Sequence, residues 1–162
     1  IHIQLIDHIK PIKGIDDHGS GPQRATVLCP YPGTFQQWIF TKQGLYRFLP
    51  LSNELVLLYE SDRKIETLLS GASFGQKFVA TSAATFVWTT IPYRMEWRYL
   101  DAAHRVILLD AGHVCQNLYL ACENIGAGTC AIAAYDQEAM DGLLQVDGED
   151  EFTVYLAPVG KI

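Results

Sequence analysis

The sequence has no run of about 18 or more apolar residues, so nothing in it reads as a membrane span. It has no excess of positive charge. Twelve Lys and Arg stand against 18 Asp and Glu, a formal net charge of −6, which excludes the basic face of a general nucleic-acid binder. Its four cysteines, Cys29, Cys115, Cys122 and Cys130, form no C-x-x-C pair, and a chain of 162 residues does not need disulfide staples. Buried free thiols in a reducing, cytoplasmic setting are the plain reading, with disulfides or metal ligation as the alternatives. There is no H-E-x-x-H, no P-loop and no G-x-S-x-G. His104 lies too far from His113, and Cys115 is two residues on, which points to another side of a helix, so no zinc set forms. IGAGT follows a helix and precedes a strand, the reverse of a dinucleotide-binding glycine loop. No repeat, low-complexity tract or signal peptide is visible, and the first residue is Ile1 rather than Met, as in a processed chain or a fragment.

What is there is core material. Hydrophobic residues make up 49% and charged residues 19%, which predicts one globular domain over residues 1–162. IHIQLIDHIKPIKG reads as a short helix stopped by Pro11, or as a strand. DDHGSGPQRATVLCPYPGT is Gly/Pro-rich and reads as a linker or a binding loop. From Phe35, QQWIF, GLYRFLP and NELVLLY predict three short strands in an antiparallel meander. RKIETLLSG and GQKFVATSA are short helices, and TFVWTTI is a buried strand. The longest helix is predicted from about Asp101 to Ile125. Val106, Leu109, Val114, Leu118, Ala121 and Ile125 form its apolar face, and Gly126 ends it. TCAIAAY follows as a strand, Asp136 N-caps the helix DQEAMDGLL, and EFTVYLAPVG closes the chain as a strand. Strands and helices mix without a βαβ rhythm, which predicts α+β: a central antiparallel sheet of four or five strands flanked by helices.

Three places carry possible chemistry. MEWRYLDAAHR is either the solvated start of an amphipathic helix or a site where Tyr99 and Arg98 form an acid/base pair, because a tyrosine needs a nearby cation to work near neutral pH. Lys161, after a strand and a glycine in PVGKI, is either solvated or a point charge for a phosphate. Arg24 in the Gly/Pro loop carries the same two readings.

LLDAGHVCQNLYLACENIGAGTCAIAAYD resembles the C-terminal half of the nitroreductase superfamily, nearest to the SagB-type dehydrogenases that oxidise azolines to azoles. Gly112, His113, Gln116, Asn117, Leu118, Leu120, Ala121, Gly126, Gly128, Ile132, Ala134 and Asp136 sit in register with that group's pattern. LAPVGK is similar to the terminal strand, and GLYRFLPLSNELVLL to a strand pair; the likeness covers roughly residues 30–162. It implies a nitroreductase-like fold, an intertwined homodimer with FMN at its interface, and the long helix as the central element. His113, Gln116 and Asn117 would then lie on a buried helix, with His113 toward the dimer or flavin side.

The resemblance also implies roles. The family's lysine–tyrosine pair falls on Arg98 and Tyr99, so Tyr99 would exchange the substrate proton. Arg98 keeps the charge but cannot act as a base. The backbone at Ala133 and Ala134 would approach the flavin near N5 and O4, with alanine at Ala133 where the family often has glycine. Lys161 matches a phosphate-contacting basic residue, and Arg24 and Thr34 fall in the matching cofactor loop. The Arg-Arg-Ser segment that usually opens these enzymes has no counterpart in IHIQLIDHIKPIKG, which implies a missing or shortened N-terminal segment. The expected activity is FMN-dependent oxidoreduction of a small molecule or peptide, with NAD(P)H as a candidate donor. The alternative is a flavin-free, non-catalytic member acting as a scaffold or partner-binding subunit.

Overall fold

The computed structural model describes residues 34–60 and 63–161. The first segment and the Gly/Pro loop, with Arg24 and Cys29, lie outside the described residues. Three strands open the fold as a meander: β1 (Phe35–Thr41), β2 (Gly44–Leu49) and β3 (Glu54–Glu60). The two short helices α1 (Arg63–Ala72) and α2 (Lys77–Thr81) precede β4 (Ala84–Thr90). Helix α3 (Tyr93–Tyr99), a single 3-10 turn (Leu100–Ala102) and the long α4 (Ala103–Asn124) follow. The chain ends with β5 (Ala127–Thr129), α5 (Gln137–Leu144) and β6 (Phe152–Lys161).

One six-stranded sheet results, in the order β3-β2-β1-β4-β6-β5, with every neighbouring pair antiparallel. The predicted α+β class holds, with one or two strands more than expected. Alternation sets which side chains face which layer. Phe35 and Ile39 of β1 join Phe86 and Trp88 of β4 on the face covered by α3 and α4. Trp38, Phe40 and Val87 point to the other face, packed by α1, α2 and α5. Strand β4 is central, and Thr85–Thr90 are all buried, because both its faces are covered. Gly44 is required where β2 meets β3: a Cβ there would collide with the Tyr59 carbonyl oxygen.

Two expected elements differ. The predicted strand TCAIAAY is instead β5 at Ala127–Thr129 plus a single bridge, Ile132 to Leu156. The predicted face of the long helix is also corrected. Its buried side carries Ala103, Ile107, Ala111, Val114, Cys115, Leu118 and Cys122. Leu109 is exposed and Val106 half-buried. The physical reason is that α4 bears two apolar stripes. Periodicity detects both, and only packing tells which one meets the sheet.

Candidate functional site

Strand β4 delivers the chain to Pro92, whose fixed φ suits the entry into α3. Met95 anchors that helix in the core, and the Trp97 indole N–H donates to the Arg94 carbonyl at 2.7 Å. The helix stops at Leu100, which has φ 46 and ψ −128, a backbone shape that side chains rarely adopt. Tyr99 is half-buried against the main core cluster, and Arg98 is exposed. The Arg98 guanidinium carbon lies 5.2 Å from the centre of the Tyr99 ring, so the two predicted partners do meet, as a cation over an aromatic face. Thr34 is buried. Its hydroxyl donates to the Met95 sulfur at 3.3 Å, and its carbonyl accepts from the Thr90 hydroxyl at 3.0 Å. It therefore fastens the start of β1 to α3.

The segment 130–136 is held by other elements rather than by a strand ladder. The Ala131 amide donates to the Tyr119 hydroxyl of α4 at 2.8 Å. Ile132 exchanges both backbone bonds with Leu156 of β6, at 2.8 and 3.1 Å. The Gln76 side-chain amide donates to the Ala134 carbonyl at 3.0 Å, and the Asp136 amide to the Ala72 carbonyl at 2.7 Å. Asp136 then caps α5 as predicted, accepting from the Ala139 amide at 2.8 Å. Between these clamps Ala133 and Ala134 are exposed, and among the described residues neither amide N–H donates to another group. Two adjacent donors thus have no acceptor among the described residues, in a segment fastened on both sides by hydrogen bonds. Tyr119 and Gln76, which hold them, carry no local sequence signal, because each partner is distant along the chain.

Lys161 is exposed at the end of β6, paired with Ala127. Phe35, Thr90 and Phe152 share one end of the sheet, and α3 departs from there; Thr41, Ala84 and Lys161 lie toward the other. Among the described residues no hydrogen bond, ion pair or ring contact joins Arg98 or Tyr99 to Ala133, Ala134 or Lys161. His113 is exposed, with Nδ1 2.8 Å from the Leu109 carbonyl, and Gln116 is exposed too, so within this chain neither is buried as expected.

Burial dominates the electrostatics. It pushes the Cys115 thiol up to about 11, with Cys130 and then Cys122 adding to the effect. It raises Tyr155 as well, assisted by Cys115, Tyr119 and Cys130. Tyr135, whose hydroxyl donates to the Thr153 carbonyl at 3.0 Å, is pushed up to about 12 by burial and then by Asp141. Burial raises Asp110, and the nearby His113 opposes it.

A sequence model of the nitroreductase family matches residues 24–161. A protein of Methanocaldococcus jannaschii that carries the nitroreductase name is 26% identical over 120 residues, covering 74% of this chain and 58% of the relative. The chain therefore spans less than two thirds of that relative's length. A solved structure named for a nitroreductase of Anabaena variabilis superposes with a TM-score of 0.72 at 26% identity, over 78% of this chain and 27% of that one. The microcin synthetase McbBCD complex of Escherichia coli, with truncated pro-MccB17 bound, gives 0.71 at 19% identity, over 88% of this chain and 59% of that one. Among the described residues no helix is long and apolar enough to cross a membrane.

Proposed function

The chain belongs to the nitroreductase family, and from that membership we propose that it is an FMN-dependent oxidoreductase of the SagB-type dehydrogenase class, working as a homodimer on a small molecule or a peptide. The observation that carries the reading is the exposed pair Ala133 and Ala134, whose amides have no acceptor among the described residues, in a segment pinned by α4, β6 and the α1–α2 turn. Donors already held in place suit the acceptor-lined edge of an isoalloxazine, because little ordering remains to be done on binding. Lys161 suits the phosphate as a point charge. It lies five residues beyond Leu156, the partner of Ile132, or roughly 17 Å along the strand, a span that an extended mononucleotide can bridge. Arg24 is the second cation proposed for the phosphate. In this reading Thr34 acts indirectly, by holding α3.

When bound, FMN supplies hydride chemistry at N5, with NAD(P)H or the substrate itself as the hydride source. Tyr99 gives or takes the substrate proton from its half-buried position at the end of α3. Arg98, stacked on the ring, restrains it and keeps positive charge at that point. The Arg98–Tyr99 pair, in register with the lysine–tyrosine pair of SagB-type enzymes, is what favours that class. A second protomer is proposed because, among the described residues, no hydrogen bond or ring contact links Arg98 or Tyr99 to Ala133, Ala134 or Lys161. The exposed stripe of α4, Leu108, Leu109 and Leu120 about Gly112 and Gln116, is the surface on which a second copy would complete the site.

Purified protein should be yellow, with a flavin band at about 450 nm. Tyr99→Phe should lower turnover by roughly 10²–10⁴ while the flavin stays bound. A colourless protein that takes up no added FMN overturns this reading. It favours instead a flavin-free scaffold or partner-binding subunit, in which Tyr99→Phe changes stability alone. The alanine at position 133, where the family often has glycine, is the feature that supports this second reading.

A further inference from the structure

Three of the four cysteines converge at one corner of the fold. Cys115 and Cys122 lie on the buried face of α4, with Tyr119 between them one turn from each. The Tyr119 hydroxyl accepts from the Ala131 amide at 2.8 Å, which presses the end of the β5 segment onto that stretch of helix. Cys130 is the residue before Ala131, and it is exposed, with its thiol in only a weak contact, 3.8 Å, to the Ala131 carbonyl. Thr129, the residue before Cys130, pairs with Val159, which belongs to the same core cluster as Cys115 and Cys122.

Geometry selects the pair. Cys115 and Cys122 are seven residues apart on one helix, so their Cα atoms are separated by about 10.5 Å along the axis. A disulfide requires less than about 7 Å, which excludes that bond. Any bridge in this cluster must therefore use Cys130. Of the two helix thiols, Cys115 stands one turn N-terminal to Tyr119, the direction in which helical side chains lean, so the Tyr119 hydroxyl and the Ala131 amide it holds lie over the Cys115 turn rather than the Cys122 turn. The electrostatics agree with this: Cys130 adds to the upward shift that burial gives the Cys115 thiol.

We infer that Cys130 and Cys115 form a peroxide-responsive thiol pair, in which exposed Cys130 is the oxidised residue and buried Cys115 the resolving one. In the first step the Cys130 sulfur attacks the O–O bond of a hydroperoxide. The peroxide is reduced to an alcohol or water, and Cys130 becomes a sulfenic acid. In the second step the Cys115 sulfur displaces that hydroxyl. An S–S bond forms, water leaves, and the two thiol protons end in the alcohol and the water. The sulfurs lose two electrons and the peroxide gains them. Closure ties segment 130–134 covalently to α4, at the clamp that Tyr119 already makes. The inference holds whether or not the chain carries FMN.

The test treats the full chain with tert-butyl hydroperoxide, blocks free thiols, and maps peptides without reductant. Wild type should lose about 2 Da and yield a linked Cys115–Cys130 peptide, reversed by dithiothreitol. Its Tm should rise by roughly 5 °C on closure, because the bridge constrains the unfolded chain. Cys122→Ala should behave as wild type. Cys130→Ser, a change at an exposed position, should keep the reduced Tm and form no bridge; Cys115→Ala should show Cys130 trapped as a sulfenic or sulfinic acid. A bridge that persists in Cys115→Ala overturns the inference, since it would then run to Cys122 or Cys29. So does wild type in which Cys130 reaches the sulfinic acid and no bridge forms.

Discussion

Single side chains decide the local geometry here, and the sequence reveals some of them and hides others. Asp136 was legible because its partner, the Ala139 amide, is three residues away. Removing that cap with Asp136→Ala should cost about 1 kcal/mol and lower Tm by roughly 3 °C, read by thermal unfolding. Tyr119 was not legible: its partner Ala131 is twelve residues on, and only the turn through β5 brings them together. Tyr119→Phe removes one hydroxyl from a partly exposed ring, so the fold should survive. The amides of Ala133 and Ala134 lose their support, and FMN affinity should fall about fivefold, the loss of about 1 kcal/mol. An unchanged dissociation constant would separate the clamp from the cofactor. Tyr135 and Cys115 predict the alkaline limit. Both are acids whose folded pKa is raised, to about 12 and about 11, so folding favours their protonated forms. Their contribution is complete below the unfolded values of 10.0 and 9.0, and is lost as pH rises through the folded ones. Tm should therefore fall progressively above pH 9, and Cys115→Ala should flatten the lower part of that decline.

At the level of elements, β-branched and aromatic runs bounded by turn residues were enough to find β1 to β4 and β6, whose successive side chains enter different layers. The same reading failed for TCAIAAY. Its apolar residues satisfy a clamp between α4, β6 and the α1–α2 turn, and a clamp has no period. The break between α3 and α4 was missed for a related reason. MEWRYLDAAHR reads as the start of one amphipathic helix, and the interruption depends on one backbone conformation at Leu100. That conformation, φ 46 with ψ −128, suits glycine. Leu100 is 73% exposed, so little packing is lost by replacing it. Leu100→Gly should stabilise the fold by about 1 kcal/mol in denaturant unfolding, despite a more flexible unfolded chain. If the strained turn serves to aim Tyr99, the same variant should lose turnover while gaining stability. A variant that loses both would mean that the Leu100 side chain, and not its backbone, fixes the end of α3.

For the molecule as a whole, the layered α+β design was readable from element order, but the assembly of the site was not. Arg98 and Tyr99 end the helix that precedes α4, and Lys161 pairs with β5, which follows it, so the 22 residues of α4 run between them. Exposed leucines are unremarkable singly. Leu108, Leu109 and Leu120, however, are 64%, 57% and 55% exposed on one helix whose opposite face is already buried in the core. Gly112 lies between them, with nothing within 4 Å of where its Cβ would be, so a second helix can approach closely. Trp97 and Leu100 extend the same apolar character toward Tyr99, each 73% exposed. A stable dimer needs about 800 Å² buried per partner, an area within reach of a 22-residue helix and its flanking turn. Sedimentation at micromolar concentration should give a dimer. Leu109→Glu leaves the core untouched, so the variant should remain folded by circular dichroism and sediment as a monomer. Under the proposed function it should lose flavin and activity together, because each site would draw on both protomers. A monomeric wild type, or a Leu109→Glu monomer that keeps full flavin affinity, would place the complete site within one chain and require Arg98 and Tyr99 to act elsewhere.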